Sequence, residues 1–263
     1  MFVPGHRQRM IDKGLELNTD VIMLDIEDGV APSEKDTARK LISEALGRAR
    51  LPNCPARFVR INAIGHPRMD ADLEAVVRPG LDGLVLPKVE SLADVLKVEA
   101  ILNRREPALD IERGSVKLLV AIESPQGLLN AAAIAACSAR VIGLMFGAED
   151  FGRELGLPTS REGEARDMLY ARSAMVVAAA SAHVQAVDGV WVDLKDTEGL
   201  WNFARQSINY AQQVVKAYEG AVARGDGSIS FGGQLIDRPI VERARRALEM
   251  ARMLGIQPAK TAQ

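Results

Sequence analysis

Two acids occupy places in this chain where chemistry is readily built. Glu123 closes the run KLLVAI (Lys117–Ile122), and Asp150 follows closely on VIGLMFG (Val141–Gly147). Both runs are nearly all apolar, the pattern of a strand buried on both faces of a parallel sheet. A buried strand that ends in an acid before a helix is how an α/β barrel presents chemistry at its C-terminal rim. Hard divalent cations such as Mg²⁺ bind through one or two carboxylates, completed by water and substrate oxygens. Glu123 and Asp150 meet that minimum, although an acid at a strand end is often only a helix cap or a salt-bridge partner. His6, His66 and His183 show no zinc-ligand spacing.

Arg60 lies within the apolar run RFVRINA (Arg57–Ala63), where a lone charge is costly. It either pairs with Asp25, Glu27 or Asp28 of DVIMLDIEDGV (Asp20–Val30) or binds a substrate carboxylate. Those acids could themselves ligate a metal. The better-fitting role for Glu27 and Asp28 is to support Arg60 or a metal-bound water from behind. Lys88 ends the run GLVLPKV (Gly83–Val89) and is placed for a Schiff base, but Pro87 and the nearby acids favour a structural ion pair. His6, Arg7, Arg9 and Lys13 gather at the start of a helical pattern. Cations there oppose the helix dipole, so the choice is between an anion site and a solvated basic turn.

The elements that must hold these residues alternate. MFVPG ends a first strand, and the runs beginning at Asp20, Arg57, Gly83, Val116, Val141 and Val184 (to Asp193) give six more. Between them lie helical patterns. Ser33 is expected to cap one with Ala38, Leu41, Ile42 and Ala45 on its buried face; Ser91 caps another, running to about Asn103. Ser124 and Pro125 suit the N-cap and first turn after Glu123, ahead of an Ala-rich helix over Leu128–Ala136. Thr159 and Glu162 have capping-box spacing and open a long helix through Ala182. Seven strand–helix alternations with short connections favour a parallel sheet flanked by helices. No GxGxxG loop follows the first strand, so a (β/α)₈ TIM barrel fits better than a doubly wound sheet. From about Ser207 the pattern changes to a long helix (Ile208–Arg224), a Gly-rich turn (Gly225–Gly233) and an Arg-rich closing helix (Ile240–Leu254). The expected division is a barrel over residues 1–206 and a C-terminal helical extension over 207–263.

Composition bounds the partners. The 263 residues are 48% hydrophobic and 26% charged, with a net charge of −2, which gives no sign of a nucleic-acid or anionic-membrane partner. Aromatics at 4% also argue against base-stacking platforms. No apolar run approaches the roughly 20 residues of a membrane span, and the start lacks a secretory layout. Cys54 and Cys137, far apart, suit a reducing compartment, so a cytoplasmic protein is expected.

With these residues in view, the chain resembles the citrate lyase β-subunit-like family of acyl-CoA lyases, which includes malyl-CoA and citramalyl-CoA lyases. The likeness is carried by FVPG (Phe2–Gly5), LDIEDGVAPSEKDTAR (Leu24–Arg39), VRIN (Val59–Asn62), LPKVES (Leu86–Ser91), AIESPQGLLN (Ala121–Asn130), FGAEDF (Phe146–Phe151), LYAR (Leu169–Arg172), QAVDGVWVD (Gln185–Asp193) and LIDRP (Leu235–Pro239). These motifs fall in family order over nearly the whole chain. The resemblance implies a Mg²⁺-dependent barrel that makes or breaks a carbon–carbon bond beside a CoA thioester. It makes Glu123 and Asp150 the metal ligands and Arg60 a substrate-binding and catalytic arginine. Phe2, Arg9 and Lys13 become contacts to the acyl-CoA. Asp237 becomes an acid/base carried into a neighbouring subunit's site, which implies a homo-oligomer, a trimer or hexamer. The chain also departs from the family. The eighth strand and its GF-x-GK-x-x-IHP-x-Q turn are not recognisable, because WNFARQ (Trp201–Gln206) passes directly into SINYAQQVV. Residues that usually precede FVPG are also absent. A free-acid hydroxy-keto acid aldolase and a non-catalytic barrel subunit of a lyase complex are the competing readings.

Overall fold

The computed structural model describes residues 1–50, 52, 54–157 and 168–189, and in the C-terminal part residues 215, 216, 219, 229–231, 234–236, 241, 242, 245, 248, 249 and 252. The chain forms two compact units, Met1–Val190 and Trp191–Gln263. In the first, seven strands lie side by side in sequence order: β1 (Phe2–Pro4), β2 (Val21–Asp25), β3 (Ala56–Arg60), β4 (Gly83–Leu86), β5 (Lys117–Ile122), β6 (Val141–Phe146) and β7 (Gln185–Val187). Every pairing is parallel. Helices α1 (Gln8–Leu15), α2 (Lys35–Leu46), α3 (Met69–Val76), α4 (Leu92–Ala108), α5 (Pro125–Leu129), α6 (Ala131–Ala136), α7 (Ala148–Glu154) and α8 (Leu169–Ser181) fill the crossovers. This is the α/β arrangement expected, with the seven strands where the apolar runs placed them.

Strand alternation sorts the residues into two layers. Ile22, Leu24, Val59, Leu84, Leu86, Leu118, Val120, Ile122, Leu144 and Phe146 join the helix faces in the large core. Each such side chain contributes roughly 1.5–3 kcal/mol by leaving water. The opposite face carries a smaller cluster of Met23, Phe58, Val85, Leu119, Ala121 and Met145. Carried one step further along each strand, the inward set reaches Asp25, Arg60 and Glu123, which therefore share one end of the sheet. The register agrees, since Pro4 stands beside Asp25, Asp25 beside Arg60, and Arg60 beside Val85.

Local chemistry fixes the ends. Ser124 accepts a hydrogen bond from the Gly127 amide at 3.0 Å, with Pro125 in the first turn of α5. Ser91 and Asp94 form a capping box at the start of α4, which runs five residues beyond the expected end, to Ala108. Ser33 is not the cap of α2. Pro32 opens a 3₁₀ turn over Pro32–Glu34, and Ser33 lies inside it, so the helix starts at Lys35 without a side-chain cap. The Ala-rich helix breaks at Asn130, whose amide donates to the Glu90 carbonyl at 2.7 Å. Arg57, buried on the outer side of β3, donates to the carbonyls of Leu46 and Arg48 and closes the C-terminus of α2.

In the second unit, β8 (Ile229–Phe231) and β9 (Gln234–Ile236) form an antiparallel hairpin. A glycine-rich turn alone was expected there. Residues 241, 242, 245, 248, 249 and 252 are helical, and Arg245 pairs with Glu219 at 3.2 Å. Trp201–Gln206, Thr159, Glu162 and Asp237 lie outside the described residues.

Candidate active site

At the C-terminal end of β2 and β3, Arg60 meets Asp25 edge to edge. Its Nε donates to Asp25 Oδ1 and its Nη2 to Asp25 Oδ2, both at 2.7 Å. The Glu27 and Gly29 amides complete the Asp25 carboxylate at 2.9 Å each. Nη1 of Arg60 lies 3.4 Å from Glu27, and the guanidinium sits 4.7 Å from the Phe2 ring centroid. Burial works against the charge, but the bonds to Asp25 and the fields of Asp25 and Glu27 outweigh it and raise the Arg60 pKa. Arg60 is the last residue of its strand, not a mid-strand residue. The ion-pair option is realised: Asp25 occupies the Nε/Nη2 edge of the guanidinium, and Nη1 lies beside Glu27.

Lys88, two residues past β4, ties the acids of β2 to the acid of β5. Its ammonium donates to Glu27 Oε1 at 2.6 Å and Asp28 Oδ2 at 2.7 Å. Its backbone amide donates to Glu123 Oε2 at 2.9 Å. Burial opposes the Lys88 charge, but the hydrogen bonds to Asp28 and Glu27 raise its pKa well above the usual lysine value. A Schiff-base nucleophile needs a free amine. The ammonium here is bound to two carboxylates that favour its charged form, the ion-pair arrangement rather than that of a free amine. Burial also opposes the Asp28 charge, yet Lys88 lowers its pKa.

Glu123 has a different environment. It is 5% exposed, and burial together with the charges of Glu27 and Asp150 pushes its carboxyl up to about 7; the Lys88 amide and Arg60 offset this only partly. Oε1 accepts no hydrogen bond among the described residues. Space for the carboxylate comes from Gly147 after β6, where a Cβ would come within 2.3 Å of Glu123 Cγ. Asp150 sits in the first turn of α7 and pairs with Arg153 at 2.5 Å. Among the described residues no three acids, histidines or cysteines form a ready cation cage. A buried carboxyl short of positive charge, beside a second acid, is nevertheless the donor set that suits an oxygen-loving dication holding waters and substrate oxygens.

The acidic loop after β2 is held from behind by residues that sequence reasoning missed. Lys35 is buried and donates to the Ile26 and Glu27 carbonyls at 2.6 and 2.7 Å and to Asn62 Oδ1 at 3.0 Å. Asn62 donates to Asp72 at 2.6 Å, and Arg39 donates to the same carboxylate at 2.8 Å. A signal for Lys35 existed, because it falls in phase with Ala38, Ile42 and Ala45 on the buried face of α2. Asp25 was one of three candidates for Arg60, and only the register singles it out.

Of the first-loop residues, Phe2 lies within the cluster. Arg9 and Lys13 stand exposed one turn apart on α1, and the structure does not bring them to the acids. Arg9, in the first turn beside the N-cap Arg7, opposes the helix dipole. Lys13 lies in the last turn, where a cation is favoured.

The parallel sheet and the acid-rich rim at its C-terminal edge define an α/β domain with a candidate cation site. The sequence profile of the HpcH/HpaI aldolase/citrate lyase family matches residues 1–218, and the chain belongs to that family. It is 36% identical to citrate lyase subunit beta of Escherichia coli K12, covering 98% of this chain and 94% of that one. It is 28% identical to the human mitochondrial citramalyl-CoA lyase, over 95% of this chain and 84% of that one. Among solved structures it matches CitE of Mycobacterium tuberculosis in complex with magnesium, acetoacetate and coenzyme A, with a TM-score of 0.72 and 28% identity over 95% and 96% of the two chains. The alignment to the E. coli subunit spans 286 positions against 263 residues here, so at least 23 of its positions (286 − 263) have no counterpart.

Proposed function

We propose that this chain is a Mg²⁺-dependent carbon–carbon lyase acting on a 3-hydroxyacyl-CoA thioester such as citramalyl-, malyl- or citryl-CoA. The observation that carries the reading is Glu123: a buried, charge-starved carboxyl at the rim, facing a second acid and an arginine. Magnesium is bound in the solved CitE complexes with acetoacetate and coenzyme A and with oxaloacetate. Glu123 and Asp150 would hold the ion, which when bound polarises the hydroxyl and carboxylate oxygens of the substrate.

The chain's own residues would do the rest. In cleavage the 3-hydroxyl passes its proton to solvent water, the C2–C3 bond breaks, and its electron pair passes to the thioester as an enolate. A 2-oxo acid and the enolate of the acyl-CoA result. Arg60, held by Asp25, stabilises the anionic oxygen. Asp237 returns a proton to the enolate carbon, reaching the site from a neighbouring subunit of a homo-oligomer. Phe2 packs on Arg60, and Arg9 and Lys13 meet the polyanionic CoA as it enters. The seven strands belong to a (β/α)₈ barrel over residues 1–206, with 207–263 as the extension that carries Asp237. A cytoplasmic setting fits the two widely separated free cysteines, Cys54 and Cys137.

The test is cleavage of a panel of malyl-, citramalyl- and citryl-CoA with Mg²⁺ and with EDTA, alongside the free hydroxy-keto acids. Metal-dependent release of a 2-oxo acid from a thioester is expected. Turnover of the free acids alone would assign an aldolase, and no turnover by the folded protein a non-catalytic subunit. Asp237→Ala is expected to abolish turnover with Mg²⁺ binding intact; unchanged turnover would remove its role.

A further inference from the structure

Lys88 is one of three non-glycine residues in the described chain with a left-handed backbone, at φ +53°. Asp110 and His183 are the others. A lysine there is strained by about 1 kcal/mol relative to glycine or asparagine, so something must hold it. Two sets of contacts do. Its ammonium is gripped by Glu27 and Asp28, and the loop beyond it is pinned to the turn after β5. Val89 is fully buried, Asn130 donates to the Glu90 carbonyl, and Ser91 is locked into its capping box. Gly127 lets the two turns meet, since a Cβ there would stand 2.5 Å from the Val89 carbonyl oxygen. The outcome of this turn is a single hydrogen bond, from the Lys88 amide to Glu123 Oε2.

We infer that Lys88 is a positioning residue for the proposed metal site, its clamped left-handed backbone holding one oxygen of Glu123 so that the other faces the cation. This rests on Glu123 being a Mg²⁺ ligand. The ammonium acts as the anchor and the amide as the aiming device. Glu27 and Asp28, which ligate nothing in this scheme, serve to hold the anchor.

Electrostatics and positioning predict opposite signs, and this makes the inference testable. A lysine beside a dication repels it, so deleting the ammonium should tighten Mg²⁺ if charge were all that mattered. If Lys88 aims Glu123, the same deletion weakens Mg²⁺ by roughly 10- to 100-fold, as loss of an outer orienting contact does elsewhere. The measurement is the Mg²⁺ dissociation constant by titration calorimetry for the full chain, Lys88→Met, Lys88→Gly and Lys88→Arg. Glycine accepts φ +53° without strain, so Lys88→Gly keeps the loop foldable while losing the anchor. Weaker binding by both Lys88→Met and Lys88→Gly, with most affinity recovered in Lys88→Arg, is the expected result. Equal or tighter binding by those two variants would overturn the inference and leave the metal reading standing. Failure of the unaltered chain to bind Mg²⁺ would overturn both.

Discussion

Raising the pH on metal-free protein should destabilise it through one side chain. Glu123 titrates at about 7 in the folded chain against an ordinary value of 4.5. That gap corresponds to about 3 kcal/mol. Because the folded value is the higher one, the folded state holds the proton more tightly than the unfolded chain. Relative stability from this group is therefore fully present below about pH 4.5 and is lost as pH rises through 7. The assay is thermal unfolding in EDTA between pH 4.5 and 8.5, comparing the parent chain with Glu123→Gln. Glutamine keeps the shape and cannot ionise, so other titrating groups largely cancel in the difference. Glu123→Gln should gain about 3 kcal/mol on the parent across the window, roughly 6 °C or more in midpoint for a chain of this size. Saturating Mg²⁺ should restore the parent at pH 8 and help little at pH 5, where the proton competes for the ligand. Parallel pH curves for the two proteins would refute the reasoning, since they would mean that Glu123 is not charge-starved.

Other outcomes follow from single contacts. Gly147→Ala should leave the fold standing and weaken Mg²⁺ binding in calorimetry, because its Cβ occupies space used by the Glu123 side chain. Asp25→Asn removes the charge clamping Arg60; urea unfolding should show a loss of about 3 kcal/mol, the scale for breaking one side of a buried pair. Ser91→Ala should cost about 1 kcal/mol in the same experiment through the lost cap of α4. Its effect on Mg²⁺ tests how far the cap contributes to fixing the Lys88 turn.

The elements legible in the sequence were those with strong local chemistry. The apolar runs ending at Asp25, Ile122 and Phe146 are strands, and Ser124-Pro125 opens a helix as its residue types demand. Ser33 misled because the neighbouring Pro32 satisfies a 3₁₀ turn as readily as an α-helix start. The site was legible in its residue types but not in its pairings. Glu123, Arg60, Glu27 and Asp28 were all named, yet which acid takes which cation depends on register: Asp25 stands opposite Arg60 across β2 and β3, while Asp28 faces Lys88. The left-handed turn at Lys88 has no local sequence signature, since lysine is a poor choice for it. It is imposed by contacts from the loop after β2 and from the turn after β5.

Among the described residues each strand of the parallel sheet pairs with its neighbours in sequence, and this bears on how the chain is made. Each new β–α unit can dock on the one already synthesised, without waiting for a distant partner. By the time β4 and its turn are in place, Asp25 has Arg60, and Glu27 and Asp28 have Lys88. The first half of the rim is then electrically settled by its own residues. Glu123 arrives on β5 to a surface with no ammonium left to offer, only an amide. Vectorial synthesis thus delivers Glu123 after them, into a neighbourhood where Asp25 already holds Arg60 and Glu27 and Asp28 already hold Lys88.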